Sequence, residues 1–151
     1  MSDDTGVDTS SAMTEQDQIL QRGGTIAVVG LSPKPHRDSY RVSAYMQAQG
    51  WRIVPINPVA AASGTLILGQ QVYGTLTGAA AIEKIDLVNV FRNSEDVPPI
   101  ADEAVRLGLP ALWLQLGIRH DGAVAQARAA GMWVVQDKCL MVEHRSSATK
   151  G

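Results

Sequence analysis

The stretch TIAVVGLSPKPHRDSY, residues 25–40, decides the fold of this chain. An apolar, β-branched run ends at Gly30, and a loop of Ser, Pro, Lys and Arg residues leads from it into a helix. In an α/β domain a phosphorylated ligand sits at such a junction, because the helix N-terminus presents unpaired N–H groups and a positive dipole end to an anion. The sequence therefore predicts an anion site here.

Strands and helices alternate along the rest of the chain. Helices are predicted over 39–49, from Ser94 to Leu107 and over 121–130, each closely followed by a glycine that suits a helix C-terminus. The runs predicted to form strands are 25–29, 52–56, 86–91, 111–116 and 133–136. Since strands joined by crossover helices form a parallel sheet, we expect an α/β fold. It is a single doubly wound, mostly parallel, Rossmann-like sheet with helices on both faces.

A chain of 151 residues has the size of one domain. We expect a disordered tail over 1–13, the domain over 14–144 and a loose C-terminal tail over 145–151. Thr14 begins a short helix that Gly23 and Gly24 end. The region 59–81 has no clear periodicity; a short strand at Val72-Tyr73 and a helical turn near 79–83 are the elements expected there.

Composition narrows the class of protein. A formal net charge of -2 argues against nucleic-acid binding, which favours a strongly basic chain. The single cysteine, Cys139, cannot form an internal disulfide and fits a reducing compartment. The N-terminus is polar and acidic, unlike a secretory leader, and no stretch approaches the ~18 apolar residues of a membrane span. We therefore expect a soluble cytoplasmic protein with no membrane or nucleic-acid partner.

The glycine pattern disfavours two common nucleotide sites. The NAD fingerprint needs G-x-G-x-x-G and an acidic residue about 20 positions later, at the end of the second strand. Here Gly30 stands alone, and the second strand ends at Asn57-Pro58 without an acid. A P-loop is excluded because no G-K-[ST] follows a glycine-rich stretch.

The loop after the first strand still suits a pyrophosphate. Gly30 allows close approach of the backbone, Ser32 offers a hydroxyl, and the helix opens near Ser39. Lys34 and Arg37 add cations at the rim, and charge-assisted hydrogen bonds contribute about 1.5–3 kcal/mol each. The alternative is a rigid proline-containing surface turn that carries a few solvated cations.

The predicted strands end at four short segments that should converge on one crevice, because ligands of doubly wound sheets bind at the carboxyl ends of strands. The segments are Gly30-Leu31-Ser32, Asn57-Pro58, Phe91-Arg92 and Gln115-Leu116-Gly117.

Four ordered motifs resemble a known family. They are VVGLSPKPHRDSYRVSAYMQAQGWRIVPINP, then NVFR, LWLQLGIRH and VVQDKCLMVEH. Together they resemble the small stand-alone CoA-binding proteins, whose Rossmann-like domain is related to the CoA-binding domain of the succinyl-CoA synthetase alpha subunit. The resemblance runs from Thr25 to His144 and is weakest over 59–71.

The resemblance implies coenzyme A as the ligand. The loop Gly30-Leu31-Ser32, with Lys34 and Arg37, would take the pyrophosphate or the 3′-phosphate. Asn57 and Pro58 would border the adenosine portion. The remaining walls of the cleft would be formed by Val90, Phe91, Arg92, Gln115 and Gly117, although Phe91 also fits a core position.

Catalytic and metal-binding candidates are few. Asp137, Cys139, Glu143 and His144 do not have the paired spacing of a zinc site, so we expect no metal. We expect a protein that binds CoA or an acyl-CoA without catalysis of its own, as a carrier, sensor or regulatory subunit. One alternative is an enzyme that acts on a CoA thioester or another nucleotide through His36 or Cys139. The other is a detached subunit that docks onto an acyl-CoA ligase; a homo-oligomer is also left open.

Overall fold

A computed structural model describes residues 13–150 as a five-stranded sheet covered by helices. Every strand pair is parallel, and the strand order is 2-1-3-4-5. The strands are β1 (Thr25–Val29), β2 (Arg52–Ile56), β3 (Leu87–Val90), β4 (Ala111–Leu114) and β5 (Trp133–Val135). The predicted α/β, Rossmann-like fold is confirmed, and each strand lies within its predicted run.

Helices connect successive strands, as crossover connections in a parallel sheet require. In chain order, α1 (Glu15–Arg22) precedes β1; the connecting helices are α2 (Asp38–Ala48), α3 (Pro58–Ser63), α4 (Leu76–Ala80), α5 (Val97–Arg106) and α6 (Asp121–Ala129); and α7 (Leu140–Lys150) follows β5. Within residues 13–150, none of these helices has the length and hydropathy needed to cross a membrane.

The core lies on both faces of the sheet, because neighbouring residues of a strand point to opposite faces. On β1, Ala27 belongs to the cluster that packs under α4, α5 and α6, while Ile26 and Val28 belong to the cluster under α2 and α7. Both faces are buried, which explains why the strands read as continuous apolar runs.

The chain enters the domain through α1. Thr14 caps this helix and forms a capping box with Asp17, and Gly23 ends it at φ 67°, as predicted. The disordered tail predicted for 1–13 lies outside the described residues except for Met13.

The region 59–81 contains two short helices and two isolated bridges. Tyr73 pairs with Ile56 beside β2, where a short strand was predicted. The predicted turn near 79–83 is the end of α4, which begins earlier, at Leu76. The Tyr73 hydroxyl donates to Glu83, which Arg52 also contacts through two hydrogen bonds; the bonds from Arg52 are the main cause of the lowered pKa of Glu83.

The helix predicted to start at Ser94 begins later, at Val97. Residues Ser94–Asp96 form a 3-10 helix ahead of α5, and the Ser94 Oγ accepts a hydrogen bond from Arg119 N at 2.9 Å. The hydroxyl therefore fastens the loop after β4. Pro98 and Pro99 lie in the first turn of α5, where a missing backbone N–H costs nothing.

The C-terminal segment is helical. The last element predicted was the strand over 133–136, with a loose tail from Arg145, whereas α7 runs from Leu140 to Lys150. The helix forms because Leu140 is fully buried and its N–H donates to Gln115 Oε1 at 2.9 Å, which anchors the first turn to β4. The helix thus includes residues 145–150 of the segment predicted as a loose tail.

Candidate functional site

The strand order places a crevice between β1 and β3. From β1 the chain crosses to β2 on one side, and it then returns to β3 on the other side of β1. The two connections leave β1 and β3 in opposite directions, so the carboxyl ends of these neighbours open into a gap. Gly30 follows β1 and Phe91 follows β3, at the two edges of this gap.

A cleft of about 720 Å³ occupies this position. Six of the predicted site residues line it: Gly30, Ser32, Asn57, Pro58, Phe91 and Arg92. They come from three of the four strand ends that were predicted to converge on one crevice. Phe91 is half-buried and packs against the core as well as lining the cleft, so both of its predicted roles apply.

Gly30 is required where β1 meets the end of β3. Its φ is 89°, and a Cβ added there would lie 2.6 Å from Phe91 O and 3.1 Å from Arg92 Cδ. The sequence predicted that this glycine allows close approach of a ligand. In the structure, Gly30 allows close approach of the end of β3, which forms the floor of the cleft.

Side-chain hydroxyls shape the loop between β1 and α2. Ser32 N donates to Ser39 Oγ at 3.0 Å, and Lys34 N donates to Ser32 Oγ at 3.1 Å. Ser39 is buried, and the side chain of Leu31 is fully buried in the core. Leu31 and Ser39 therefore hold the loop in place from beneath.

Asn57 joins two sides of the cleft. Its Oδ1 accepts from Val59 N and Ala60 N at 3.0 and 3.1 Å and so caps α3, with Pro58 in the first turn. Its Nδ2 donates to Leu31 O at 2.9 Å. One side chain thus fixes the start of α3 relative to the loop after β1.

The basic side chains of the loop are exposed to solvent. Lys34, His36 and Arg37 are exposed and do not belong to the lining of the cleft. Arg41, one turn into α2, donates to His36 O at 2.6 Å and pairs with Asp38. A ligand in the cleft must extend past Ser32 to reach Lys34 or Arg37.

Three further predicted residues lie outside the lining of the cleft. Val90 is fully buried within β3, and Gln115 is buried, with its Oε1 bonded to Leu140 N. Gly117 N donates to Asp137 Oδ1 at 2.7 Å, which joins the ends of β4 and β5.

Ten of the sixteen described residues that line the cleft were not predicted. Six of them come from the turn into α4 (Gly74, Thr75 and Leu76) and from α5 (Pro99, Ile100 and Glu103), and the others are Val29, Ile56, Val59 and Asp96. The one local signal was Thr75, whose hydroxyl caps α4 by accepting from Gly78 N at 2.9 Å.

The histidines and the cysteine have separate surroundings. His120 Nδ1 accepts from Ala123 N at 3.0 Å and caps α6. His144 Nδ1 lies 2.9 Å from the Tyr45 hydroxyl, and burial lowers the pKa of this imidazole. Cys139 is partly buried just before α7. Within residues 13–150, no three His, Cys, Asp or Glu side chains group in a way that could hold a metal.

Two proteins are similar to this chain over most of its length. The uncharacterized protein YneT of Bacillus subtilis (strain 168) is 38% identical over 130 residues, which cover 86% of this chain and 92% of that protein. The structure of cell-free ID.343 from Thermus thermophilus is 34% identical with a TM-score of 0.81, and the match covers 89% of this chain and 98% of that one.

A larger protein shares the fold. The dinucleotide forming acetyl-coenzyme A synthetase 1 of Ca. Korarchaeum cryptofilum matches with a TM-score of 0.63 at 21% identity, over 75% of this chain and 25% of that chain. At this identity the match shows the fold alone.

The family follows from a match to residues 24–145, which carry the whole sheet and every residue that lines the cleft. The matching model describes a CoA binding domain, in agreement with the predicted resemblance. The chain therefore belongs to the CoA-binding domain family.

Proposed function

We propose that this protein binds coenzyme A or an acyl-CoA in the cleft between β1 and β3 and has no catalysis of its own. It would serve as a carrier, a sensor or a regulatory subunit. The observation that carries the proposal is the cleft itself, which lies beside a Gly30 loop at the switch point of a CoA-binding domain.

The phosphates of the ligand fit the loop between β1 and α2. The segment Gly30-Leu31-Ser32 borders the cleft, and the exposed Lys34 and Arg37 follow it immediately before α2 begins. An anion there meets two cationic side chains and the positive end of the α2 dipole. This arrangement supports the loop as the site of the pyrophosphate or the 3′-phosphate.

The uncharged parts of the ligand fit the cleft. Its volume is within the range of small-molecule sites, and Val59, Leu76, Pro99 and Ile100 give it apolar walls. Both polar ends of the Asn57 side chain are already bonded within the protein. We therefore propose that Asn57 and Pro58 border the adenosine portion by shape and packing.

Two measurements test the ligand. Mass spectrometry of the natively purified protein should detect a co-purified CoA species. Calorimetry should then show micromolar or tighter binding of CoA, weaker binding of dephospho-CoA and the weakest binding of NAD. Tight binding of NAD by a protein that does not bind CoA would refute the proposal.

Charge-removing variants test the position of the phosphates. Lys34→Ala and Arg37→Ala should each weaken CoA about 10-fold, the loss of one charge-assisted hydrogen bond, and leave adenosine almost unchanged. Lys84→Ala is the matched control, because Lys84 is exposed at the amino end of β3, away from the cleft. Equal weakening of CoA and adenosine would remove both residues from phosphate binding.

Turnover assays test the lack of catalysis. The wild-type protein should bind a panel of CoA thioesters and release them unchanged. Turnover that is lost in His36→Ala or in Cys139→Ser would contradict this part of the proposal.

A further inference from the structure

The charge of the cleft is unusual for a site that takes phosphates. Among the described residues that line it, three are charged: Arg92, Asp96 and Glu103. One cation and two carboxylates give the lining a net charge of -1. Because a carboxylate repels a phosphate, the partners of Asp96 and Glu103 bear directly on binding.

The Glu103 carboxylate is hydrogen-bonded within the protein. Its Oε2 accepts from Thr77 N at 2.9 Å and from Thr77 Oγ1 at 2.6 Å. These bonds attach α5 to the first turn of α4, at the end of the cleft that those helices form. The Glu103 carboxylate therefore has a structural role.

Asp96 instead forms an ion pair with Arg92, the one cationic residue among the described residues that line the cleft. Its Oδ2 lies 3.3 Å from Arg92 Nη2, and the two side chains are 34% and 50% exposed. The stem of Arg92 passes close to Gly30, where an added Cβ would lie 3.1 Å from Arg92 Cδ. Arg92 thus lies beside the phosphate loop while its guanidinium contacts Asp96.

We propose that Asp96 is a specificity-determining residue that occupies the Arg92 guanidinium until a ligand phosphate replaces it. This inference rests on the proposed binding of CoA. Exposed ion pairs four residues apart are weak, so the exchange costs little, and a phosphate makes a stronger charge-assisted contact with Arg92. A neutral ligand does not displace Asp96 from Arg92 and leaves the ion pair intact. The pair therefore lowers the affinity for phosphate-bearing ligands but not for uncharged analogues that fit the same walls, so Asp96 sets how strongly the cleft prefers a phosphate.

Calorimetry of matched variants tests the role of Asp96. Asp96→Asn should bind CoA about three- to tenfold more tightly at low salt, because Arg92 is released and a repelling charge is removed. Its affinity for adenosine should stay within about twofold of the wild-type value, since adenosine carries no charge. Glu95→Gln is the control: it removes the same charge one residue away, from an exposed side chain outside the lining.

A double-mutant cycle tests the coupling to Arg92. Arg92→Met should weaken CoA binding, and Asp96→Asn added to it should give a smaller gain than Asp96→Asn gives in the wild-type protein, because only the repelling charge is then removed. Thermal unfolding of each variant checks that the domain is intact.

The outcomes separate the two proposals. If the wild-type protein does not bind CoA, the proposed function fails and this inference fails with it. If it binds CoA but Asp96→Asn binds no more tightly than Glu95→Gln, or gains equally with and without Arg92, then only the role of Asp96 is overturned.

Discussion

The carboxylate of Glu15 accepts a hydrogen bond from the backbone N–H of Val134 at 2.9 Å, across 119 residues of sequence. Arg128 completes the arrangement: its Nη2 donates to Val134 O at 3.0 Å and lies 2.7 Å from Glu15 Oε1. Val134 is in β5, one of the two edge strands of the sheet. The two side chains occupy the donor and the acceptor that a further strand would otherwise use.

Removing this edge contact should expose β5. We expect Glu15→Ala to lower the free energy of unfolding by about 1–3 kcal/mol, because a partly buried N–H loses a charged acceptor. We also expect it to promote self-association through the open edge. Urea denaturation and light scattering measure the two effects. Asp102→Ala, on an exposed position of α5, is the control. A Glu15→Ala protein as stable and as monodisperse as this control would show that the edge contact is inessential.

Gly30→Ala should destabilise the protein more than an ordinary positive-φ glycine substitution. Gly50 has a φ of 100° with open space around it, whereas an added Cβ at Gly30 meets Phe91 O at 2.6 Å. We expect a loss of about 1–2 kcal/mol for Gly50→Ala and about 2–4 kcal/mol for Gly30→Ala. Urea denaturation measures both. Equal losses would mean that β3 shifts freely to accept the added methyl group.

The sequence was sufficient to predict the strands and one side of the cleft. Each strand is a buried apolar run bounded by chain breakers, and Gly50, Gly108 and Gly131 take the positive φ expected after a helix. Parallel topology then brings the ends of different strands together whatever their separation in sequence. For this reason Gly30 and Asn57 could be placed at one crevice without knowledge of their contacts.

The opposite side of the cleft could not be predicted, because it depends on tertiary contacts. The helix α4 has five residues, too few for a periodic pattern, and its position follows from the pairing of Tyr73 beside β2. The fully buried Leu140 similarly anchors α7 to the core, whereas the polar residues that follow it gave no helical pattern. The structural role of Asn57 was also hidden, since its partner Leu31 lies 26 residues away.

Asn57→Asp should separate the two roles of this side chain. Aspartate retains the acceptor that caps α3 but replaces the N–H that donates to Leu31 O with a second oxygen. We expect a loss of about 1–3 kcal/mol near neutral pH, because that carbonyl loses its donor and faces a charge.

The pH dependence of the Asn57→Asp deficit identifies its cause. Below about pH 4 the introduced carboxyl becomes protonated and can donate to Leu31 O, so the deficit relative to wild type should shrink. Urea denaturation of both proteins at several pH values measures it. A deficit that does not change with pH would place its origin elsewhere, for example in a weakened cap.

The contact between α2 and α7 should make stability depend on pH through His144. Its ring lies against Tyr45, with Nδ1 2.9 Å from the hydroxyl, and burial lowers its pKa below the ordinary value. Between the folded and the unfolded pKa of His144, the unfolded chain binds more protons than the folded one, so stability rises with pH. The contribution is complete above about pH 6.5, the unfolded pKa, and is lost as the pH falls through the lower folded pKa.

Urea midpoints at about pH 8 and about pH 5 should therefore differ less in His144→Gln than in wild type. His36→Gln, at an exposed position, should retain the wild-type difference. If His144→Gln retained it as well, another group would be responsible for the loss of stability in acid.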